Sequence, residues 1–365
     1  MAGYVFVSNT TKPSKEKFES RDPITLTNFS RPALKVALEM GYDVTYGAQR
    51  ANPEQLECEL PVKLYDAHTY RSITAFKDNK IAYDNLNKVI QENDIQVIHC
   101  NTPVGGMVGR FCGKKNKVKK VIYTVHGFHF YKGAPLFNRT VLKWAEILMA
   151  RWTDAIVTIN QEDYEAAKKF KLRGNGKVYF MHGVGITLKD FEGLSHLRQQ
   201  KREEMGVKDD DIVLISMGDL VPRKNYGAAI RAIAKANDPR LQYMICGRGS
   251  ELENLQALAK ELGVENQIHF LGFRTDVKEL LTGADIFLFT TRQEGLPRSM
   301  MEAMASGLPC VASRIRGNVD LIEEGVNGYT CLTDDADGYA AAITKIASDP
   351  ALREQMRINN LEKIN

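Results

Sequence analysis

Short apolar runs alternate with amphipathic segments along most of the 365-residue chain. Runs such as 212–217 and 284–289 are continuous and rich in large apolar residues, as in parallel strands buried on both faces. The segments between the runs repeat their apolar residues every three or four positions, which indicates amphipathic helices. Strand and helix alternating at this spacing predict parallel sheets covered by helices. The predicted strands are 4–7, 43–46, 96–100, 120–125, 154–159, 177–181, 212–217, 241–246, 267–271, 284–289, 309–312 and 328–332.

The alternation restarts near the middle of the chain. A glycine-rich stretch at 182–186 is followed by a charged segment at 197–205, which is predicted to be a helix. We therefore place a domain boundary there and expect two domains, 1–187 and 188–365, each long enough to bury its own core. Residues 48–78 show no clear period, and no element is predicted in them.

Composition narrows the class of protein. A hydrophobic content of 44% and a charged content of 26% are typical of a soluble globular protein, and the net charge of +4 does not indicate nucleic-acid binding. The chain has neither an apolar run long enough to span a membrane nor an N-terminal signal peptide, so we expect a cytoplasmic location. Its six cysteines are scattered, and four lie in or beside strand-like runs. They are predicted to be buried reduced thiols rather than disulfides.

Two glutamates follow the predicted strand 284–289. Glu294 lies in the polar turn after this strand, and Glu302 lies on a helix predicted to begin near Pro297 and end at Gly307. Open α/β sheets bind ligands beyond the carboxyl ends of their strands. Two carboxylates eight residues apart can then reach one ligand from different sides.

Two adjacent cations follow the predicted strand 212–217. Gly218 comes directly after the strand, and Arg223 and Lys224 stand just ahead of a helix predicted from Tyr226. Backbone N–H groups and the helix dipole add to such side-chain charges and favour an anion. Arginine can grip phosphate oxygens in pairs, whereas lysine acts as a compact charge. The sequence therefore predicts a phosphate-binding loop.

These motifs together resemble a known donor-site signature. Glu-x7-Glu followed by Ala-x-Ala-x-Gly-x-Pro-x-Val, and Gly-x-Leu-x-x-x-Lys-Asn at 218–225, resemble the retaining nucleotide-sugar glycosyltransferases of family 4. The resemblance implies an α/β chain of the GT-B fold, with two Rossmann-like doubly wound parallel-sheet domains facing a central cleft. In that family the first domain faces the acceptor and the second binds the nucleotide sugar.

The resemblance also implies roles for individual residues. Arg223 and Lys224 would hold the donor diphosphate and stabilise it as it leaves, Glu302 would bind the ribose, and Glu294 would orient the donor sugar. His126 matches the family histidine that touches this sugar from the first domain. The other donor-site candidates are Gly218, Gly247, Phe273, Gly295 and Leu296.

A longer stretch of the first domain resembles a narrower subgroup. His-Gly-Phe-His-Phe-Tyr-Lys-Gly-Ala-Pro begins at His126, and Asn-Thr-Pro-Val-Gly-Gly precedes it at 101–106. The subgroup extends lipid-linked sugars for bacterial capsule, exopolysaccharide or glycoprotein glycans. The implied partners are a UDP-sugar donor and a polyprenyl-diphosphate-linked saccharide, met at the inner face of the cell membrane, with no cofactor. Acceptor-side candidates are Asn101, Gly105, Gly106 and His129.

No metal is expected in the reaction. The three aspartates at 209–211 match an Asp-x-Asp motif, but they precede a strand and so lie at the wrong end of a sheet. His126 and His129 alone are an incomplete ligand set for zinc, and a structural role for this pair remains open.

Three other functions remain open. A sugar-nucleotide epimerase of the same architecture would share the diphosphate site, with a more acidic cleft expected. A retaining hydrolase could use Glu294 and Glu302 as its carboxylate pair, but it would have no use for Arg223 and Lys224. A nucleotide-binding module without catalysis is the third alternative.

Residues 136–152 carry one apolar face. Phe137, Val141, Trp144, Leu148 and Trp152 follow one another at helical spacing, and five lysines lie just upstream, between positions 114 and 120. One interpretation is a core helix beside a solvated basic loop. The other is an interfacial surface for anionic lipid headgroups and a lipid-linked acceptor.

Overall fold

The chain folds into two compact units in a computed structural model that describes all residues from 1 to 365. Unit 1 spans Met1–Val184 and unit 2 spans Gly185–Asn365. The predicted boundary after residue 187 lies close to this division. None of the helices combines the length and the apolar character needed to cross a bilayer.

Unit 1 is built on a parallel seven-stranded sheet with the order β3-β2-β1-β4-β5-β6-β7. Its strands are β1 (Gly3–Val7), β2 (Asp43–Ala48), β3 (Lys63–Asp66), β4 (Ile95–Asn101), β5 (Lys120–Val125), β6 (Ala155–Thr158) and β7 (Lys177–Phe180). Its helices are α1 (Lys15–Glu19), α2 (Arg31–Glu39), α3 (Phe76–Glu92), α4 (Pro103–Lys115), α5 (Lys143–Ala150) and α6 (Gln161–Ala167), with a π-helical turn at Asn138–Leu142 before α5.

Unit 2 is built on a parallel six-stranded sheet with the order β10-β9-β8-β11-β12-β13. Its strands are β8 (Ile212–Met217), β9 (Leu241–Cys246), β10 (Ile268–Gly272), β11 (Ile286–Phe289), β12 (Cys310–Ser313) and β13 (Gly328–Cys331). Its helices are α7 (Arg198–Glu204), α8 (Tyr226–Ala236), α9 (Leu252–Glu261), α10 (Val277–Gly283), α11 (Arg298–Ala305), α12 (Asn318–Leu321), α13 (Ala336–Ser348) and α14 (Pro350–Ile364).

The strands at the centre of the two sheets, β1 and β8, are buried on both faces. All six residues of β8 are buried. Ile212 and Leu214 pack into the core on one face, whereas Val213 and Ile215 pack into the core on the other. Each such side chain stabilises the fold by about 1.5–3 kcal/mol when it leaves water. The prediction of two Rossmann-like parallel-sheet domains is confirmed.

Two elements fall outside the sequence prediction. Helix α1 lies in the polar stretch 8–29 and strand β3 lies in the stretch 48–78, and no element was predicted in either. The helix predicted between β12 and β13 is the single turn α12. Strand β3 has only four residues, a charged residue at each end, and one neighbouring strand. Such a short edge strand needs no continuous apolar run, so its sequence carries little signal.

The apolar side chains of 136–152 are largely exposed. Phe137, Val141, Trp144 and Leu148 are each more than half accessible to solvent, while Trp152 is partly buried. The interpretation of this segment as a core helix is therefore wrong for these four side chains.

The cysteines follow the sequence prediction. All six are free, and five of them are buried, with Cys58 partly exposed. Burial raises the pKa of the Cys100, Cys112 and Cys246 thiols to about 12, 12 and 11 respectively.

Candidate functional site

In both units the strand order changes direction next to the first strand. Strand β8 lies between β9 and β11, and β1 lies between β2 and β4. Neighbouring strands at such a point send their chains to opposite faces, which opens a crevice at their carboxyl ends. The predicted site residues lie at or beyond the carboxyl ends of β8, β9, β10 and β11 in unit 2, and of β4 and β5 in unit 1.

The carboxylate of Glu294 accepts hydrogen bonds from three side chains. Its Oε1 accepts hydrogen bonds from Arg223 Nη1 at 2.8 Å, Lys224 Nζ at 2.9 Å and Thr291 Oγ1 at 2.9 Å. Glu294 and Lys224 are largely buried, while Arg223 remains nearly half exposed. The predicted phosphate-gripping cations and the predicted sugar-orienting carboxylate thus form one ion-paired cluster.

Hydrogen bonds to backbone carbonyls hold the loops of this cluster together. The N–H of Arg292 donates to the carbonyl of Arg223 at 2.8 Å, and Nε of Arg316 donates to the carbonyl of Glu294 at 3.1 Å. Gly317 has a φ of 82°, and a Cβ there would overlap the carbonyl oxygen of Gly295. A loop packed this closely fixes where the Glu294 side chain begins.

The cluster carries a surplus of positive charge. Two cations face one carboxylate, and Tyr226 begins the eleven-residue helix α8 immediately after the Pro222–Lys224 turn and Asn225. The positive end of the helix dipole adds to that surplus. A dianionic group is therefore favoured here, and it would compete with Glu294 for the same cations.

Glu302 lies on α11, the helix that begins just after the turn that contains Glu294. Its Oε1 accepts a hydrogen bond from Arg298 Nε at 2.8 Å, and its side chain is largely buried. The pair is an i,i+4 contact on one face of the helix, which stabilises the orientation of the carboxylate. Leu296, at the start of this segment, is partly buried against the core.

The glycines after β8 and β9 have a packing role. A Cβ on Gly247 would overlap the carbonyl oxygen of Gly218, so the two loops can approach only without a side chain. The N–H of Gly218 donates to the Cys246 carbonyl at 2.9 Å. Phe273 is largely exposed beyond β10, with the Arg248 guanidinium 6.0 Å from its ring centre. This pair leaves a flat apolar and cationic surface free at the same edge of the sheet.

At the corresponding edge of unit 1, the candidates His126 and Asn101 have uncharged side chains without hydrogen-bond partners. Both ring nitrogens of His126 are buried and have no hydrogen-bond partner in the protein, and the same is true of Oδ1 of Asn101. Phe29 packs edge-to-face on the His126 ring at 5.1 Å. Buried polar groups in native proteins are nearly always paired, so these atoms are suited to a ligand that supplies hydrogen bonds.

Burial keeps the histidines of this edge neutral. Loss of hydration lowers the pKa of His126 to about 4. It lowers the pKa of His99 to about 4 as well, with His126 adding a smaller repulsion. His99 has partners on both nitrogens, since Nδ1 lies 2.7 Å from the Tyr4 hydroxyl and Nε2 lies 2.8 Å from Thr124 Oγ1. His126 is the histidine left for a ligand.

The remaining acceptor-side candidates differ in their surroundings. Gly106 is buried in α4, where a Cβ would overlap the Tyr123 ring, and Gly105 lies against the backbone of Val7 and Ser8. These contacts give both glycines a packing role, and their contact with an acceptor stays a prediction. His129 is exposed in the loop after β5.

An apolar groove adjoins His126 and Asn101. It has a volume of about 990 Å³ and runs between α2 and the exposed face of β4, β5, β6 and β7. Its polar end holds His99, Asn101 and His126, and its other end holds Lys120 and Lys177. The sequence prediction did not include this groove because its walls come from segments far apart in the chain.

The described chain assembles no group of three or more His, Cys, Asp or Glu side chains that could hold a metal ion. The aspartates at 209–211 lie just before β8, at the edge of the sheet opposite to the cation cluster. Asp211 Oδ2 accepts from the backbone N–H of Lys208 at 2.7 Å, which is a local turn contact. The metal-independence of the reaction remains a prediction.

Three supporting residues were missed by sequence reasoning. Arg298 is four residues before Glu302, so helical spacing was a signal that could have found it. Thr291 and Arg316 reach Glu294 through the fold, and the local sequence shows no such contact.

Two family models match the chain. The model described as glycosyl transferases group 1 matches residues 198–363, and the model described as glycosyl transferase 4-like matches residues 32–160. The first match contains the cation cluster and both glutamates, and the second contains Asn101 and His126.

Two of the individual relatives come from bacteria. The chain is 35% identical over 279 residues to "Putative glycosyltransferase EpsD" of Bacillus subtilis (strain 168), which covers 75% of this chain and 73% of that protein. It is 27% identical over 287 residues to the Escherichia coli "UDP-Gal:alpha-D-GlcNAc-diphosphoundecaprenol alpha-1,3-galactosyltransferase", covering 77% of this chain and 74% of the relative.

Among solved structures, Anabaena Alr3699/HepE in complex with UDP is similar with a TM-score of 0.76 at 18% identity, covering 99% of this chain and 94% of the other. At this identity the likeness establishes the GT-B fold alone.

Proposed function

Since the chain belongs to the group 1, family 4-type glycosyltransferases of the GT-B fold, we propose that it is a retaining enzyme that uses a UDP-sugar. The sugar would pass to a saccharide carried on a lipid diphosphate in bacterial surface-glycan synthesis. The observation that carries the proposal is the pair of cations, Arg223 and Lys224, held on the single carboxylate of Glu294.

The donor diphosphate would displace Glu294 from these cations. Arg223 is exposed enough to grip phosphate oxygens in pairs, and Lys224 supplies a point charge from a largely buried position. Together with the start of α8 they would stabilise the negative charge that grows on the leaving diphosphate. Glu294, once released, would accept hydrogen bonds from hydroxyls of the donor sugar.

Glu302 would accept hydrogen bonds from the ribose hydroxyls, with Arg298 holding it in place. His126, neutral near pH 7, would use a ring nitrogen on the transferred sugar. Gly218, Gly247, Gly295 and Leu296 would shape the backbone around the nucleotide, and Phe273 would pack on its base.

The acceptor hydroxyl would attack the anomeric carbon on the face that the diphosphate leaves. Its proton would pass to the leaving phosphate oxygen, so the bond to the acceptor forms as the bond to the diphosphate breaks. No divalent ion is needed for charge stabilisation in this scheme, because Arg223 and Lys224 supply it.

The relatives support the acceptor class. The name of the E. coli relative specifies a diphosphoundecaprenol-linked sugar as acceptor, and a Campylobacter jejuni relative that is 27% identical is named as a diphospho-undecaprenol N-acetylgalactosaminyltransferase. We extend this acceptor class to the present chain, with the enzyme working at the inner face of the cell membrane.

The test is release of UDP from a panel of UDP-sugars, with and without a detergent-solubilised bacterial lipid extract. We expect release that depends on the extract, a sugar-extended lipid product, and an unchanged rate in chelator. UDP release without the extract would favour a hydrolase, an epimerised sugar would favour an epimerase, and binding without release would favour a binding module. Loss of the rate in chelator, restored by magnesium or manganese, would refute metal independence.

A further inference from the structure

An apolar ridge lies along the outside of unit 1. It consists of Phe137, Val141, Trp144 and Leu148, which are 57%, 51%, 73% and 51% exposed. The four side chains follow at intervals of three or four along the π-helical turn and α5, so they form one line. Exposed apolar side chains concentrated in this way mark an interaction surface on a soluble protein.

The opposite side of α5 is fastened to the body of the unit. Glu146 accepts hydrogen bonds from Nη1 and Nη2 of Arg110 at 2.7 Å and 3.2 Å. Arg110 is fully buried, and its guanidinium lies 3.9 Å from the centre of the Tyr123 ring. Rolling α5 inward would break this buried ion pair, so the apolar ridge stays on the surface.

The charged residues that neighbour the apolar ridge along the chain are almost all positive. Glu146 is the only acidic residue between Asp94 and Asp154, and its carboxylate is turned inward to Arg110. Lys114 Nζ lies 3.9 Å from the centre of the Trp152 ring. The other exposed cations nearby along the chain are Lys115, Lys117, Lys119, Lys120, Arg139, Lys143 and Arg151.

We infer that the apolar ridge and these cations form a face that docks on an anionic membrane. The ridge side chains enter the boundary between headgroups and acyl chains, and the lysines and arginines meet anionic headgroups. Trp144, the most exposed of the four, is the residue type that favours this boundary.

The position of the face in unit 1 also fits a lipid-linked substrate, and in this respect the inference rests on the proposed function. The loop that begins at His126 leads into the π-helical turn, and Lys143 Nζ lies 6.0 Å from the Phe130 ring of that loop. Docking would therefore hold the His126 edge of the sheet near the headgroup layer, where the diphosphate of such an acceptor lies.

A second copy of the chain is a less suitable occupant. Two apolar ridges packed together would bring Arg139 and Lys143 of both copies into one interface with no acidic side chain to pair them. Like charges facing each other disfavour association, whereas an anionic headgroup layer neutralises them.

The experiment is sedimentation of the full chain with vesicles of phosphatidylcholine alone or with about one third phosphatidylglycerol, at low salt. We expect at least tenfold stronger partitioning onto the anionic vesicles, falling as salt screens the lysines. In a Trp152→Phe background, the fluorescence of Trp144 should shift to the blue on those vesicles only. Equal sedimentation with both kinds of vesicle would overturn the inference.

The variant for this test is Val141→Asp with Leu148→Asp, and its matched control is Val36→Asp with Ile81→Asp. All four side chains are exposed and lie on helices or turns of the same unit, so both variants should fold. The ridge variant should lose at least a hundredfold in partitioning, because each change removes apolar insertion and adds a charge of the wrong sign. The control should bind as wild type does. A wild-type dimer that becomes a monomer in the ridge variant would instead assign the ridge to self-association.

Transfer to detergent-solubilised acceptor separates this inference from the proposed function. The ridge variant should keep that activity and lose transfer to acceptor embedded in vesicles. If the protein shows no preference for anionic vesicles but still transfers sugar in detergent, the docking face alone is overturned. Vesicle binding without UDP release under any condition overturns the proposed function alone.

Discussion

The two edges that carry the candidate site residues differ in their charge and hydrogen bonding. At the edge of unit 2, Arg223, Lys224 and Glu294 are charged and ion-paired, with one positive charge in excess. At the edge of unit 1, His126 and Asn101 are uncharged and have buried polar atoms without partners. Under the proposed function, a ligand at the first edge would replace an existing ion pair, while a ligand at the second edge would only add hydrogen bonds.

This difference matches the chemistry of the two parts of the proposed donor. A diphosphate carries enough charge to compete with a carboxylate for two cations. A sugar hydroxyl does not, so the group that receives it is best left neutral and unpaired, at a desolvation cost of about 1–3 kcal/mol per orphaned group. The ligand recovers that cost when it supplies the missing hydrogen bonds.

The contrast between the two edges would lose its functional meaning if the unit 2 cations were dispensable for turnover. Lys224→Ala or Arg223→Ala should lower turnover by about a hundredfold or more, the usual scale for losing one stabiliser of transition-state charge. Lys278→Ala is the matched control, because Lys278 is an exposed ion-paired cation elsewhere in the unit. Steady-state UDP release by the three variants measures the effect, and activity within twofold of wild type would remove the cations from the mechanism.

The neutral character of the unit 1 edge predicts a dependence of stability on pH. The pKa of His126 is about 4 in the folded chain, against 6.5 as its ordinary value. Between these values the unfolded chain binds more protons, so the free energy of unfolding falls as the pH drops. At pH 5 this one histidine should cost about 2 kcal/mol relative to pH 7.

His126→Leu should remove that share of the pH dependence and leave stability at pH 7 within about 1 kcal/mol, because the ring makes no hydrogen bond to lose. Thermal unfolding of both proteins from pH 5 to pH 7 measures this. Parallel pH profiles for the two would show that His126 is not held neutral by burial. The same variant should also lower turnover if the ring touches the donor sugar.

The smallest effect separates the two glutamates. Glu294→Gln should tighten binding of free UDP severalfold, because the diphosphate would no longer compete with a carboxylate, yet it should lower turnover. Glu302→Gln should weaken UDP binding by about tenfold, the scale of losing a charged hydrogen bond. Calorimetric titration of both variants with UDP measures these changes in affinity. Weaker UDP binding by Glu294→Gln with no change for Glu302→Gln would exchange their roles.

The sequence was sufficient for twelve of the thirteen strands, but not for the contacts of the side chains. The strands 120–125, 212–217 and 241–246 were predicted with the bounds that the structure has. The contact of Lys224 with Glu294 joins residues seventy positions apart, and no local pattern encodes it.

The apolar ridge shows another limit of sequence reasoning. Apolar residues at helical spacing predict a stripe, and the same stripe suits a core helix and an interfacial one. Only the buried partner of Glu146 shows which side of α5 faces inward. The groove beside His126 was not predicted for a related reason, since α2 and β7 lie well over a hundred residues apart in the chain.

The strand order has a consequence for how the protein is made. Strand β1 is the first part of the sheet to leave the ribosome, yet it lies in the middle, between β2 and β4. Its second neighbour is finished only at Asn101. At a synthesis rate of about 5–20 residues per second, the nascent chain waits roughly 5 to 20 seconds before the centre of this sheet can close. During that interval the apolar β1 has an unpaired edge, and an unpaired apolar edge favours pairing with other chains.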